Sequence, residues 1–317
     1  VRFFLVALNF VSLRRQINRS MHALRTLLNG IIDYAGLFPP ASLSMTDAVT
    51  NYARYLQSPD HWALARFIVP VSRLDEFSTA VHALPPELRN QTWKLSALIG
   101  QDVQADVQTI DTFNALFSRA PRSLLIDTIE LKASSVEAID ALSLPASLTA
   151  FVEIPIDPNP EPLIEAIKQK GYCAKVRTGG VTADAFPSAQ DLARFIFLCA
   201  KHQTPFKATA GLHHPIRASY RLTYAPDSPC GTMFGFLNVF MAGAFAFCGM
   251  DENTLAALLS ETDLNQIAFH QDSIQWRTHS LSLSSVEEAR ARFALTFGSC
   301  SFEEPMQDLK SQHLLQA

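Results

Sequence analysis

The stretch Cys173-Ala-Lys-Val-Arg-Thr-Gly-Gly180, followed after a helical segment by Pro205-Phe-Lys-Ala-Thr-Ala-Gly-Leu-His-His214, decides how this chain folds. Each half reads as a short buried strand that ends in a polar, glycine-bearing tip. Side chains alternate along a strand, so Lys175 and Arg177 share one face of the first. Lys207, Thr209, Gly211 and His213 share one face of the second. Two lysines on the interior faces of neighbouring parallel strands are costly to bury unless a site uses them.

Upstream of this stretch, Gly30–Tyr34, Ala65–Pro70, Trp93–Gly100, Leu124–Lys132 and Leu148–Pro155 read as strands one to five, each followed by a helical segment. Ser44 or Thr46 caps the first of these helices, and Ser134 with Glu137 has capping-box spacing before the fourth. Pro162 near the start and Gly171 just past the end bound the fifth. Downstream, a helix Ser188–His202 separates strands six and seven. A long connection over 213–232 leads to an apolar helix at 233–248, expected to pack against the barrel or a subunit interface. Ile267–His270 is the expected eighth strand, 271–283 a hairpin arm, and Ser284–Phe297 the last helix. The polar tail from Phe297 is expected to fold back across one barrel end.

Eight strands, each with its helix, in a chain of 317 residues predict an α/β fold, a single-domain (β/α)8 TIM barrel over 21–317 with a C-terminal hairpin and tail. An open doubly wound sheet would carry Gly-x-Gly-x-x-Gly after its first strand, and none is present. Residues 1–20, an apolar run from Phe3 to Leu13 followed by Arg14, Arg15 and Arg19, read as a non-native or disordered extension.

Hydrophobic residues make up 48% and charged residues 18% of the chain, enough apolar material for a large core. A formal charge of −4 provides no basic field for nucleic acid. No run is long enough to span a bilayer, so no membrane partner is expected. The five cysteines are scattered without a Cys-x-x-Cys pair, which points to a cytoplasmic protein without a zinc site or disulfide framework. No cofactor fingerprint appears, and none is expected. Self-association into a homo-oligomer stays open.

Active sites of this fold lie at the C-terminal ends of the strands. Those ends carry Asp33, Ser96, Glu130, Lys132, Glu153, Lys175, Arg177, Lys207, Thr209 and His213, with His270 at the expected eighth strand. A lysine shielded from water beside a second cation loses its proton readily and can attack a carbonyl to form a Schiff base. Lys175 and Lys207 supply that arrangement, with Glu130, Glu153 and Lys132 as the other candidate catalytic groups. Arg177, Thr178, Gly179, Gly180, Thr209, Gly211, His213, His214 and Asp33 are candidates for holding a phosphate or carboxylate.

Lys175-Val-Arg-Thr178-Gly179 resembles the strand-six Lys-x-x-Thr-Gly of deoxyribose-phosphate aldolases, and Lys207-Ala-Thr-Ala-Gly211 is similar to their strand-seven Lys-Ala-x-x-Gly. The resemblance covers these two short motifs. It implies that Lys175 is the Schiff-base nucleophile and Lys207 its activating neighbour. The family's Gly-Gly-Ile-Arg phosphate motif is replaced here by Ala210-Gly211-Leu212-His213-His214, and its strand-four aspartate by a segment carrying Glu130 and Lys132.

The reading is therefore a small-molecule lyase, aldolase-like, acting on an anionic carbonyl metabolite. Two alternatives stand beside it. One is a divalent-metal enzyme using His213, Glu153, Glu130 and Asp33 or His270. The other is a non-catalytic barrel that captures an anionic metabolite. Loop 213–232 is long enough to be a lid in either case, and Cys300 reads as a buried thiol before a nucleophile.

Overall fold

A computed structural model describes residues 22–117, 123–156 and 159–315. The expectation for residues 1–20 lies outside these residues. A helix over residues 22–28, α1, leads into β1 (Ile32–Tyr34). There follow α2 (Met45–Tyr55), β2 (Leu64–Pro70), α3 (Leu74–Ala83), α4 (Pro86–Arg89), β3 (Thr92–Leu98), α5 (Val103–Phe117) and β4 (Ser123–Lys132). Then come α6 (Val136–Asp140), β5 (Thr149–Glu153), α7 (Glu161–Gln169), β6 (Cys173–Arg177), α8 (Ala189–Lys201) and β7 (Phe206–Thr209).

Beyond β7 the chain makes a hairpin, β8 (Ala218–Arg221) and β9 (Cys230–Met233), then two helices, α9 (Phe236–Phe247) and α10 (Glu252–Leu259). An antiparallel meander follows: β10 (Ile267–Phe269), β11 (Ser273–Trp276) and β12 (His279–Ser282). The chain ends with α11 (Leu283–Arg292), β13 (Ala294–Ser299) and α12 (Glu303–Ser311).

Eight parallel strands close in the order β1-β13-β7-β6-β5-β4-β3-β2, a (β/α)8 barrel. The strand that closes it is β13, where Ile32, Asp33 and Tyr34 pair with Phe297, Gly298 and Ser299. The eighth strand is thus not Ile267–His270, which forms the first strand of the meander and pairs antiparallel with β11. The expected helix over 284–297 stops at Arg292, and the expected polar tail supplies both the final strand and the final helix. A parallel strand buried on both faces has no amphipathic period, so Phe293-Ala-Leu-Thr-Phe reads as a continuation of the helix before it.

Local chemistry sets the other boundaries. Ser44 Oγ accepts the Asp47 amide at 3.1 Å and Ser188 Oγ the Asp191 amide at 3.1 Å, capping α2 and α8. At α6 the cap is Ser135, accepting from Ala138 N at 3.2 Å, one residue later than the expected Ser134. Gly171 follows α7 with φ +72, a conformation that favours glycine.

Alternation within the strands separates two cores. Phe67 and Trp93 face outward and pack with Tyr52 and Phe77 from the helices, Tyr52–Trp93 centroids being 4.8 Å apart and Phe67–Phe77 5.2 Å. Arg66, Ile68 and Ser96 face the interior instead, with the polar ends of the other strands. The apolar helix α9 is buried through residues 236–246, as its composition implied. No helix among the described residues is long and apolar enough to cross a membrane.

Asn238, fully buried on α9, ties down the excursion after β7. Its amide nitrogen donates to the carbonyls of Leu258 and Glu261, each at 2.9 Å, and its oxygen accepts from Arg217 N at 2.9 Å. Replacing it by Leu removes three hydrogen bonds and leaves the Glu261 carbonyl and the Arg217 amide without this partner, and Asn238→Leu should lower the unfolding free energy by about 3 kcal/mol in urea titrations.

Candidate active site

The parallel register sets Lys175 beside Lys207, and Glu153 beside Lys175, on neighbouring strands. Both ammonium groups reach the same acid. Lys207 Nζ lies 2.6 Å from Glu130 Oε1, and Lys175 Nζ lies 2.9 Å from Glu130 Oε2. Each lysine also has an outer partner: Lys207 meets Asp33 Oδ2 at 2.5 Å, and Lys175 meets Glu153 Oε2 at 2.8 Å. The result is a row of alternating charge, Asp33–Lys207–Glu130–Lys175–Glu153, crossing the barrel from β1 to β5.

Hydroxyl and backbone groups hold the ends of this row. Ser96 Oγ donates to Glu130 Oε1 at 2.6 Å, Thr296 Oγ1 donates to Asp33 Oδ2 at 2.7 Å, and Arg66 N donates to Asp33 Oδ1 at 2.9 Å. Lys207 also lies 5.5 Å from the ring centre of Phe151. Thr296 belongs to the strand that was read as helix, so its part in the site was missed. Arg66, alternating with outward Phe67 on β2, pairs with Asp127 at 2.5 Å, a second interior ion pair that period 2 could have revealed.

This arrangement changes the expected electrostatics. Lys175 is not held neutral by its neighbour. Burial works against the Lys175 ammonium, but the carboxylates of Glu130 and Glu153 outweigh it and hold its pKa above the ordinary lysine value. Burial likewise opposes the Glu130 carboxylate, yet Lys175, Lys207 and the Ser96 hydroxyl hold its carboxyl well below the usual range. Glu153 is lowered too: Lys175, Arg177 and Lys132 outweigh its burial.

Above Lys175 opens a cavity of about 340 Å³ at the C-terminal end of the barrel, with Glu130, Lys175, Arg177, Thr209 and His213 among its lining residues. Arg177 is half exposed there, its Nε 3.6 Å from Glu153 Oε1. Gly180 and Gly211 also line the cavity. Lys132 stands at the outer rim, 73% exposed and 3.4 Å from Glu153 Oε1. The hairpin β8–β9 roofs the space through Leu222 and Met233, and the loop after β1 walls it through Phe38 to Pro40.

Several expected ligand-binding residues lie elsewhere. Asp33 is fully buried behind Lys207 and orients it, without lining the cavity. Thr178 is also fully buried, its hydroxyl donating to Ala210 O at 2.6 Å, so it joins two loops. Gly179 and Gly211 allow a close approach: a Cβ on either would press into Phe186, and one on Gly211 would also lie 3.0 Å from Gly179 Cα. Gly211 needs its φ of +74 for the same turn. His214 leaves the main cavity, stacking on Tyr220 and pairing with Asp308 at 2.6 Å, while His213 pairs with Glu304 at 2.9 Å.

The metal alternative fares poorly on geometry. Glu130 turns both oxygens toward ammonium groups, and His270 is exposed on the turn between β10 and β11, bonded to Gln275 at 3.0 Å. Among the described residues, the acids and histidines of the mouth do not converge as a ligand set. The group that does, Glu161, Glu165 and His202, lies on α7 and just past α8, and Glu161 is already paired with Lys201 at 2.7 Å. Cys300 does reach the cavity, but burial pushes its thiol up, away from a reactive thiolate.

Fold and site together define a (β/α)8 barrel with a buried lysine–carboxylate row under a cavity lined by Lys175 and Arg177. No family model matches the sequence, and no curated protein is significantly similar to it.

Removing one member of the row leaves uncompensated buried charge. Lys207→Met should destabilise the fold by about 3–5 kcal/mol in urea unfolding. Because the Glu130 carboxyl is held below its ordinary value, its contribution is complete above about pH 4.3 and lost as pH falls further. Unfolding free energies measured from about pH 7 to about pH 3 should decline accordingly, with a shallower decline in Glu130→Gln.

Proposed function

We propose that the chain is a carbon–carbon lyase of aldolase type, acting on a small carbonyl metabolite that bears an anionic group. The observation that carries this reading is Lys175, whose Nζ sits at the cavity floor within 2.9 Å of one carboxylate and 2.8 Å of another. Lys207, wholly buried, cannot meet a substrate; it holds Glu130 in place. The resemblance to deoxyribose-phosphate aldolases likewise makes Lys175 the nucleophile, whereas it implies an activating role for Lys207 that the pairing with Asp33 and Glu130 does not favour.

A charged ammonium cannot attack a carbonyl, so Lys175 first passes a proton to Glu153 Oε2. That oxygen lies 2.8 Å from the ammonium nitrogen, within reach of a direct transfer. The neutral nitrogen adds to the carbonyl carbon, and the oxygen takes that proton and one more before leaving as water. The resulting iminium accepts the electron pair of the neighbouring carbon–carbon bond as it breaks. The proton of the substrate's β-hydroxyl goes to Glu153 as the aldehyde departs, and protonation and hydrolysis of the enamine restore Lys175. Arg177, half exposed at the mouth, holds the anion.

The raised pKa of Lys175 favours one further reading, in which the ammonium stays charged and stabilises an enolate as a proton donor without a covalent bond. Borohydride reduction with pyruvate and small aldehydes, followed by peptide mass spectrometry, separates the two. The covalent reading expects an adduct on Lys175 that disappears in Lys175→Met. Exchange of α-hydrogen for deuterium without any trapped adduct would transfer the case to the enolate. In either scheme Glu153→Gln should slow turnover by about 10²–10⁴-fold.

A further inference from the structure

The walls of the cavity carry more information about the substrate than its floor does. We infer that the site takes a 2-oxo acid whose remaining body is apolar, rather than a polyhydroxylated sugar phosphate. The inference rests on the reading of Lys175 as the group that meets the carbonyl.

The first observation is the composition of the walls. Phe38 and Pro39 come from the loop after β1, Ile68 and Leu98 from β2 and β3, and Leu222 and Met233 from the hairpin roof. A sugar hydroxyl turned toward these side chains loses its water and finds no partner, a costly state for a buried polar group. The polar groups of the lining are largely engaged already. Glu130 Oε1 accepts from Ser96 and Lys207, its Oε2 faces Lys175, and His213 Nδ1 is turned to Glu304.

The second observation is where the cations lie. Lys175 Nζ meets Glu153 Oε2 at 2.8 Å and Arg177 Nε meets Oε1 of the same carboxylate at 3.6 Å. Two cations that flank one carboxyl group suit a substrate whose carbonyl and carboxylate are adjacent, as in a 2-oxo acid. A phosphate at the far end of a sugar chain would instead fall among the apolar walls. At about 340 Å³ the cavity is also at the small end for bound metabolites.

The test compares pyruvate, 4-methyl-2-oxopentanoate and 2-deoxyribose 5-phosphate by calorimetry and thermal shift on the full chain. The branched acid should bind about tenfold more tightly than pyruvate, since its extra carbons leave water for the apolar wall. The sugar phosphate should bind more weakly than either. Leu222→Ser, on the roof, should erase most of the difference between the two 2-oxo acids, and Arg177→Met should weaken both by about tenfold. Equal affinity for the two acids, or a sugar phosphate that binds as tightly as the branched acid, overturns the inference. Borohydride capture of pyruvate on Lys175 with no gain for the branched acid would defeat this substrate class alone. The expected affinity order with no capture would defeat covalent catalysis alone.

Discussion

The carboxylate of Glu130 lies between two ammonium groups, and neither lysine could be buried without it. An isolated charge taken from water into a protein interior costs several kcal/mol, more than any single contact returns. The barrel solves this by alternating sign along the row, so that each lysine lies between two carboxylates. Such a row contributes little net stability compared with an apolar interior of the same shape. Its persistence through five strands is therefore better explained by chemistry than by folding.

The parallel register makes the row possible. Because β6 and β7 run in step, Lys175 and Lys207 emerge at the same height, and β5 brings Glu153 level with Lys175. Exposure then divides the labour. Lys207 and Asp33 are wholly buried, and Lys207 fixes the position of Glu130. Lys175 and Arg177 line the cavity instead. The apolar hairpin and the proline loop narrow the space around those two cations, which strengthens their pull on an incoming anion by excluding water.

Much of this was legible in the sequence, for identifiable reasons. Lys-x-Arg and Lys-x-Thr at strand tips show the period of two, and that period fixed the interior faces of β6 and β7 before any contact was known. What it could not show was balance. Read alone, two adjacent lysines suggest mutual neutralisation, whereas acids contributed from β4 and β5 keep Lys175 charged. Pairing across 174 residues, as between Lys207 and Asp33, leaves no local trace. The closing strand escaped for a different reason: Ala294-Leu-Thr-Phe is buried on both sides and follows a helix directly, so neither periodicity nor a turn residue marks its start. Thr178 and Gly179 looked like anion ligands because hydroxyls and glycines at strand tips serve that purpose elsewhere. Here close loop packing uses both.

Barrel closure by β13 has a consequence for biogenesis. Asp33 receives its hydroxyl partner from Thr296, 263 residues later, and β1 has no neighbour on that side until the last strand emerges. A nascent chain on the ribosome therefore carries an open sheet edge and an acid facing an unfinished interior until β13 has followed, 263 residues behind Asp33. Contacts this distant in sequence make for slow folding. Loss of β13 alone would leave a splayed, adhesive sheet in place of a smaller barrel.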